Sequence, residues 1–221
     1  MDARLSMLIS FVLGIVPTFG LLWAITARYE SKVAEKDTMT SFIIGIFGGI
    51  LVSVSHIYVS FYFGIGGMVL VYAVLLALAE VMLYFIYLNM KRFRGRTDMP
   101  FIALGFSLGV TASYIGFLFG HLFRQDDVNW DEVLGMALFA FAASTMRASI
   151  GMMVARGLGK KLPVKQLLIG TALLGVFDLL SLIFFYEFLW TFAVPCIVLG
   201  LVSFALLFPD LKKVRKWTVT E

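Results

Sequence analysis

Seven long apolar runs, separated by short polar connectors, account for most of this chain. They fall at about Leu5–Ala27, Met39–Phe61, Gly67–Met90, Phe101–Phe123, Val133–Ala155, Gln166–Phe188 and Trp190–Phe208. Each has about the 20 residues that an α-helix needs to cross the hydrocarbon core of a bilayer. None alternates apolar and polar residues with period two. Backbone groups in lipid must be paired within their own segment or in a closed sheet, so the pattern predicts helices and not a barrel. The last two runs are nearly contiguous and predict a tight hairpin. The expected fold is all-α: a polytopic membrane protein with seven transmembrane helices in one domain, residues 1–221.

The connectors differ in charge, and that sets an orientation. The first carries Arg28, Lys32 and Lys36, and the third carries Lys91, Arg92, Arg94 and Arg96. The fifth carries Arg156, Lys160, Lys161 and Lys165, and the tail carries Lys212, Lys213, Arg215 and Lys216. Between them, Tyr62–Gly66 has no basic residue, and Arg124–Glu132 is acidic apart from Arg124. Basic connectors stay on the cytoplasmic side, so the alternation predicts an outside N-terminus and a cytoplasmic C-terminus.

Composition removes the soluble alternatives. The chain is 61% hydrophobic and 14% charged, with mean hydropathy +0.95, whereas soluble domains carry about a quarter charged residues. The lipid bilayer, most simply the cell membrane, is its expected surroundings. The net charge of +4 comes from residues beside spans and not from an aromatic-interleaved patch, so no nucleic-acid partner is expected. The single Cys196 has no partner for a disulfide or a thiolate metal site. The first run has almost no basic residues ahead of it and no small-residue cleavage site, and reads as a span and not a signal peptide. Gly45 and Gly49, Gly105 and Gly109, and Gly116 and Gly120 have the four-residue spacing that lets helices approach closely, within the chain or between copies. Pro17 and Pro195 are expected to kink their helices. Asp98, just before Pro100, is the expected N-cap of the fourth helix.

Ionisable residues inside spans are costly and usually face a protein interior or a wet cavity. Here they are Glu80, Arg147 and Asp178, with His56 and His121 expected nearer the outer face. Counting from the cytoplasmic ends of their spans at about 1.5 Å per residue puts the three charges at one depth, roughly 13–18 Å in. Two readings follow. In one, Arg147 bridges Glu80 and Asp178 so that three helices pack without an unpaired charge. In the other, the three form a polar cavity for a substrate, a proton or a catalytic water. His56, alone on its span, reads as a satisfied polar contact more often than as a functional group. No metal site can be assembled from neighbouring histidines at this depth, and no metal or cofactor is expected.

The stretches Leu78-Ala79-Glu80-Val81, Gly105-Phe106-Ser107-Leu108-Gly109, Arg147-Ala148-Ser149-Ile150-Gly151 and Leu173-Leu174-Gly175-Val176-Phe177-Asp178, with the size and span order, resemble the PrsW-type membrane proteases. These are relatives of the glutamate proteases that process CAAX proteins and bacteriocins. Carried over from that family, the first Glu of its Glu-Glu pair falls on Ala79 and the second on Glu80. The downstream basic position falls on Leu83, and the later acidic position falls near Tyr114. The two histidine positions fall on Arg147 and Leu174, and the Asp four residues after the second is kept as Asp178. The resemblance therefore implies a member that has lost its catalytic histidines.

Three functions compete on this reading. The first is a protease scaffold without hydrolysis, which binds transmembrane segments of other proteins or serves as a subunit of a membrane complex. The second is an active endopeptidase with Glu80 as base and Arg147 as electrostatic stabiliser. The third is a small proton-coupled transporter using Glu80, Arg147 and Asp178, which the lack of an internal repeat disfavours. A retinal-binding receptor is disfavoured, because the seventh span, Trp190–Phe208, has no lysine for a Schiff base.

Overall fold

The computed structural model describes residues 3–27, 32–63, 68–122, 130–160, 162–187 and 190–218. Among them are seven helices and no strand: α1 (Ala3–Thr26), α2 (Lys32–Phe63), α3 (Val69–Leu88), α4 (Met99–Leu122), α5 (Trp130–Gly159), α6 (Pro163–Glu187) and α7 (Trp190–Thr218). Each covers most of one of the seven apolar runs. Six are long and apolar enough to cross a membrane, α1 to α6, while the described apolar stretch of α7, Ala193–Leu207, is shorter. The helices run on into polar sequence where the apolar pattern stops. α2 starts at Lys32, ahead of the apolar run at Met39, and α7 carries the basic tail to Thr218. Arg28, Arg124, Lys161 and the turn between α6 and α7 lie outside the described residues, as does most of the connector after α2.

α4 is the hub. Of its membrane-length window 94% is buried, against 22% for α1 and 33% for α2, so the other helices are arranged around it. Small residues make that possible. A methyl group built on Gly45 or Gly49 of α2 would overlap the carbonyl of Phe106 or Val110 on α4, and one on Gly105 or Gly109 of α4 would overlap the carbonyl of Thr38 or Phe42 on α2. These glycines therefore serve packing within the chain, α2 against α4, as small-residue pairs do between membrane helices. Gly14 of α1 lies against Ala112, Gly151 of α5 against Ser107, and Gly200 of α7 against Ala142 and Thr145. Hydroxyls in these seams return hydrogen bonds to their own helix, Thr111 to Ser107 at 2.8 Å and Ser149 to Thr145 at 2.7 Å. That satisfies these two without an inter-helix partner, while Ser113 of α4 donates across the seam to the Ile46 carbonyl of α2 at 2.8 Å.

One end of the bundle is closed by ions. Asp37 of α2 accepts from Arg92 and Arg96 of the α3–α4 connection, both at 2.5 Å, and Arg96 also donates to both oxygens of Asp98 at 2.8 and 2.5 Å. Asp98 does occupy the position before α4, where its carbonyl takes the amides of Phe101 and Ile102, but its carboxylate faces Arg96. The Asp98 hydrogen bonds, with those from Asp37, hold the Arg96 guanidinium protonated far above its usual range. Gly95 makes the reversal in this connection with φ of 79°, a backbone conformation that glycine adopts without strain. The tip of α5, at Leu158 and Gly159, borders the same connection around a cavity of about 470 Å³.

Candidate functional site

α3 presents one inward stripe: Ala73, Ala77, Glu80, Val81, Tyr84, Tyr87 and Leu88 are its buried residues. Their spacing of three and four follows the 3.6-residue turn, so Glu80 and Tyr84 lie on one face. Arg147 sits mid-way along a stretch of α5 that is buried from Ala142 to Ala155, and Asp178 follows Phe177 on the buried side of α6. The three residues read from the sequence do converge. Arg147 Nε donates to Glu80 Oε1 at 2.8 Å and Nη2 donates to Oε2 at 3.2 Å. The same Nη2 lies 3.6 Å from Asp178 Oδ1, an ion-pair separation too long for a good hydrogen bond. The Tyr84 hydroxyl donates to Glu80 Oε1 as well. The guanidinium carbon stands 4.0 Å from the centroid of the Tyr114 ring and 5.9 Å from that of Phe177, in cation–π range.

The site is deeply enclosed. Relative exposure is 0% for Arg147 and Asp178, 1% for Glu80 and 2% for His56. In such surroundings a lone charge is expensive, and a pair is tolerated only with good geometry and filled hydrogen-bond positions. Glu80 meets that condition, with three donor contacts on its two oxygens. Asp178 does not. Both of its carboxylate oxygens, together with Arg147 Nη1 and His56 Nε2, have no hydrogen-bond partner among the described residues. The site thus has a saturated half, Glu80 with Arg147 and Tyr84, and an open half, Asp178 with His56.

The sequence reading kept His56 apart from the three charges, but its Nε2 lies 3.8 Å from Asp178 Oδ2, and its ring meets Tyr114 edge-on at 5.1 Å. The sequence reading found no metal site built from neighbouring histidines and did not assemble one histidine with two carboxylates. One ligand atom each from His56, Glu80 and Asp178 lie within 4.8 Å of one another. His121, in the last turn of α4, is not part of that group, and Cys196 is buried as a free thiol.

Two participants were not singled out as site residues. Tyr84 was legible, being four residues after Glu80 on a helix. Tyr114 had appeared only as the place where a family acidic residue would fall, and a tyrosine in an apolar run gives no signal of a ring under a guanidinium. Chemically, Glu80 is poorly placed as a base, because its oxygens are already engaged. Arg147 remains charged at ordinary pH and cannot relay a proton. His56 and Asp178 retain open lone pairs and are the groups able to bind something further. Comparison of the chain with protein families, with curated proteins and with solved structures finds no match, so the site is read from its own geometry.

Proposed function

We propose that the chain is an integral protein of the cell membrane with seven spans, outside N-terminus and cytoplasmic C-terminus, built on a PrsW-type scaffold that no longer hydrolyses peptides. It acts by holding transmembrane segments of a partner, as a subunit of a membrane complex. The observation that carries the non-hydrolytic reading is Glu80. The carboxylate that the resemblance makes the water-activating base is enclosed at 1% exposure and held by Arg147 and Tyr84. A general base needs a lone pair within reach of the proton it takes, and here three of the about four such positions of a carboxylate are occupied by donors. The orientation is supported by the basic connectors and by the meeting of Asp37, Arg92, Arg96 and the α5 tip at one end of the bundle.

Chemical cross-linking in native membranes followed by purification tests the partner role. A single membrane protein recovered at a fixed ratio, on cross-links from lipid-facing positions, supports it. A monomer that cleaves peptides refutes it. An endopeptidase reading survives only in a changed form, with the open pair Asp178 and His56 in place of Glu80. The orientation fails if a tag on the C-terminus is reached by antibody in intact cells.

A further inference from the structure

The open half of the site has more coordinating capacity than the packing of three helices requires. His56 comes from α2, Glu80 from α3 and Asp178 from α6, and their nearest ligand atoms share a space no wider than 4.8 Å. His56 Nε2 and both Asp178 oxygens are at once fully buried and unpartnered, although such groups in native proteins almost always have a partner. We infer that His56, Asp178 and Glu80 form a buried site for a divalent first-row transition-metal ion such as zinc. This goes beyond the proposed function and does not depend on it. His56 also lies at none of the positions that the PrsW resemblance supplies.

The donor set suits such an ion. One imidazole nitrogen with carboxylate oxygens is a common environment for zinc and its neighbours in the first row, while an all-oxygen set would favour magnesium or calcium. Bonds of about 2.0–2.2 Å to a tetrahedral ion place its ligand atoms about 3.3–3.6 Å apart. The His56–Asp178 separation of 3.8 Å is near that already. The widest separation, 4.8 Å, must close by a little over an ångström, and Glu80 Oε2, which takes one donor, keeps a lone pair for the ion. His56 Nε2 and one oxygen each from Glu80 and Asp178 make three ligand atoms, and a water completes a four-coordinate site. Direct metal–ligand bonds would replace the orphaned polar atoms of His56 and Asp178. The ion would link α2 to α3 and α6.

The test uses the whole protein purified in detergent without a polyhistidine tag, stripped with chelator and equilibrated with Zn²⁺. Metal analysis should give one zinc per chain in the wild type and in His121→Ala, with affinity at least tenfold weaker in His56→Ala and Asp178→Asn. Metal content that does not differ between wild type and His56→Ala overturns the site, as does a stripped wild type that takes up no zinc. Where the variants fail to fold, Co²⁺ added to the wild type decides the matter. Intense visible bands of low-coordinate cobalt support the site, and the weak spectrum of hydrated cobalt refutes it. These readings come from purified protein and leave the non-hydrolytic proposal standing or falling separately.

Discussion

Replacing Arg147 with methionine isolates what the buried guanidinium does. Methionine keeps an unbranched side chain of similar reach in the cation–π position but removes every donor. Two charge-assisted hydrogen bonds to Glu80 are lost, at 2.8 and 3.2 Å, each worth about 1.5–3 kcal/mol. Two enclosed carboxylates then face each other without a countercharge. Removing one partner of a buried pair costs about 3–5 kcal/mol, and that is the loss expected for Arg147→Met. The double variant Glu80→Gln/Arg147→Met removes the stranded charge at Glu80 as well, so it should be less destabilised than the two single losses added together. A coupling of about 2 kcal/mol or more is expected, far above the few tenths seen for independent sites. Unfolding of the four proteins in mixed micelles, titrated with a denaturing detergent, gives the cycle. A loss below about 1 kcal/mol for Arg147→Met, or single effects that simply add, would refute the claim that this pair is formed and buried.

Two smaller predictions concern the frame around the site. Gly109→Ala sets a methyl group against the Phe42 carbonyl, backbone that yields only if α2 and α4 separate, so a loss of about 1–3 kcal/mol is expected. Gly20→Ala meets nothing within 4 Å and should be neutral or stabilising by up to about 1 kcal/mol in helix propensity; thermal unfolding compares the two, and equal effects would contradict the α2–α4 seam. Asp37→Asn weakens both arginine contacts at the closed end. Because Arg92 is 58% exposed the global cost should stay near or below about 1 kcal/mol. The visible effect is faster hydrogen exchange confined to residues 89–98, and unchanged exchange there would mean that the clasp does not order the connection.

The helices were legible because lipid imposes one dominant rule, a long apolar run for each span, and each helix covers most of one run. Helix ends were not legible, because polar residues at Lys32 and beyond Phe208 continue a helix outside the apolar pattern. Within the site, Glu80, Arg147 and Asp178 stood out since a charge in an apolar run is rare, and all three do converge. The contact of His56 with Asp178 was not legible, because it depends on how closely α2 approaches its neighbours, and Gly45 and Gly49 let it approach α4. The ring of Tyr114 under Arg147 and the clasp from Asp37 to Arg96 depend on how distant segments meet, and local composition carries no trace of that. The spread of partners was equally hidden: nothing in the sequence shows that Arg147 and Tyr84 saturate Glu80 while Asp178 is left open.

The central claim, that this scaffold with its occupied Glu80 does not hydrolyse peptides, is tested most directly by mapping protein termini in membranes. Cells without the protein are compared with cells carrying the wild type, Glu80→Gln or Asp178→Asn at matched levels. The account predicts the same set of termini in all four. New termini within or beside transmembrane segments that appear with the wild type and vanish in either variant would contradict it, and the variant that abolishes them would identify the carboxylate responsible.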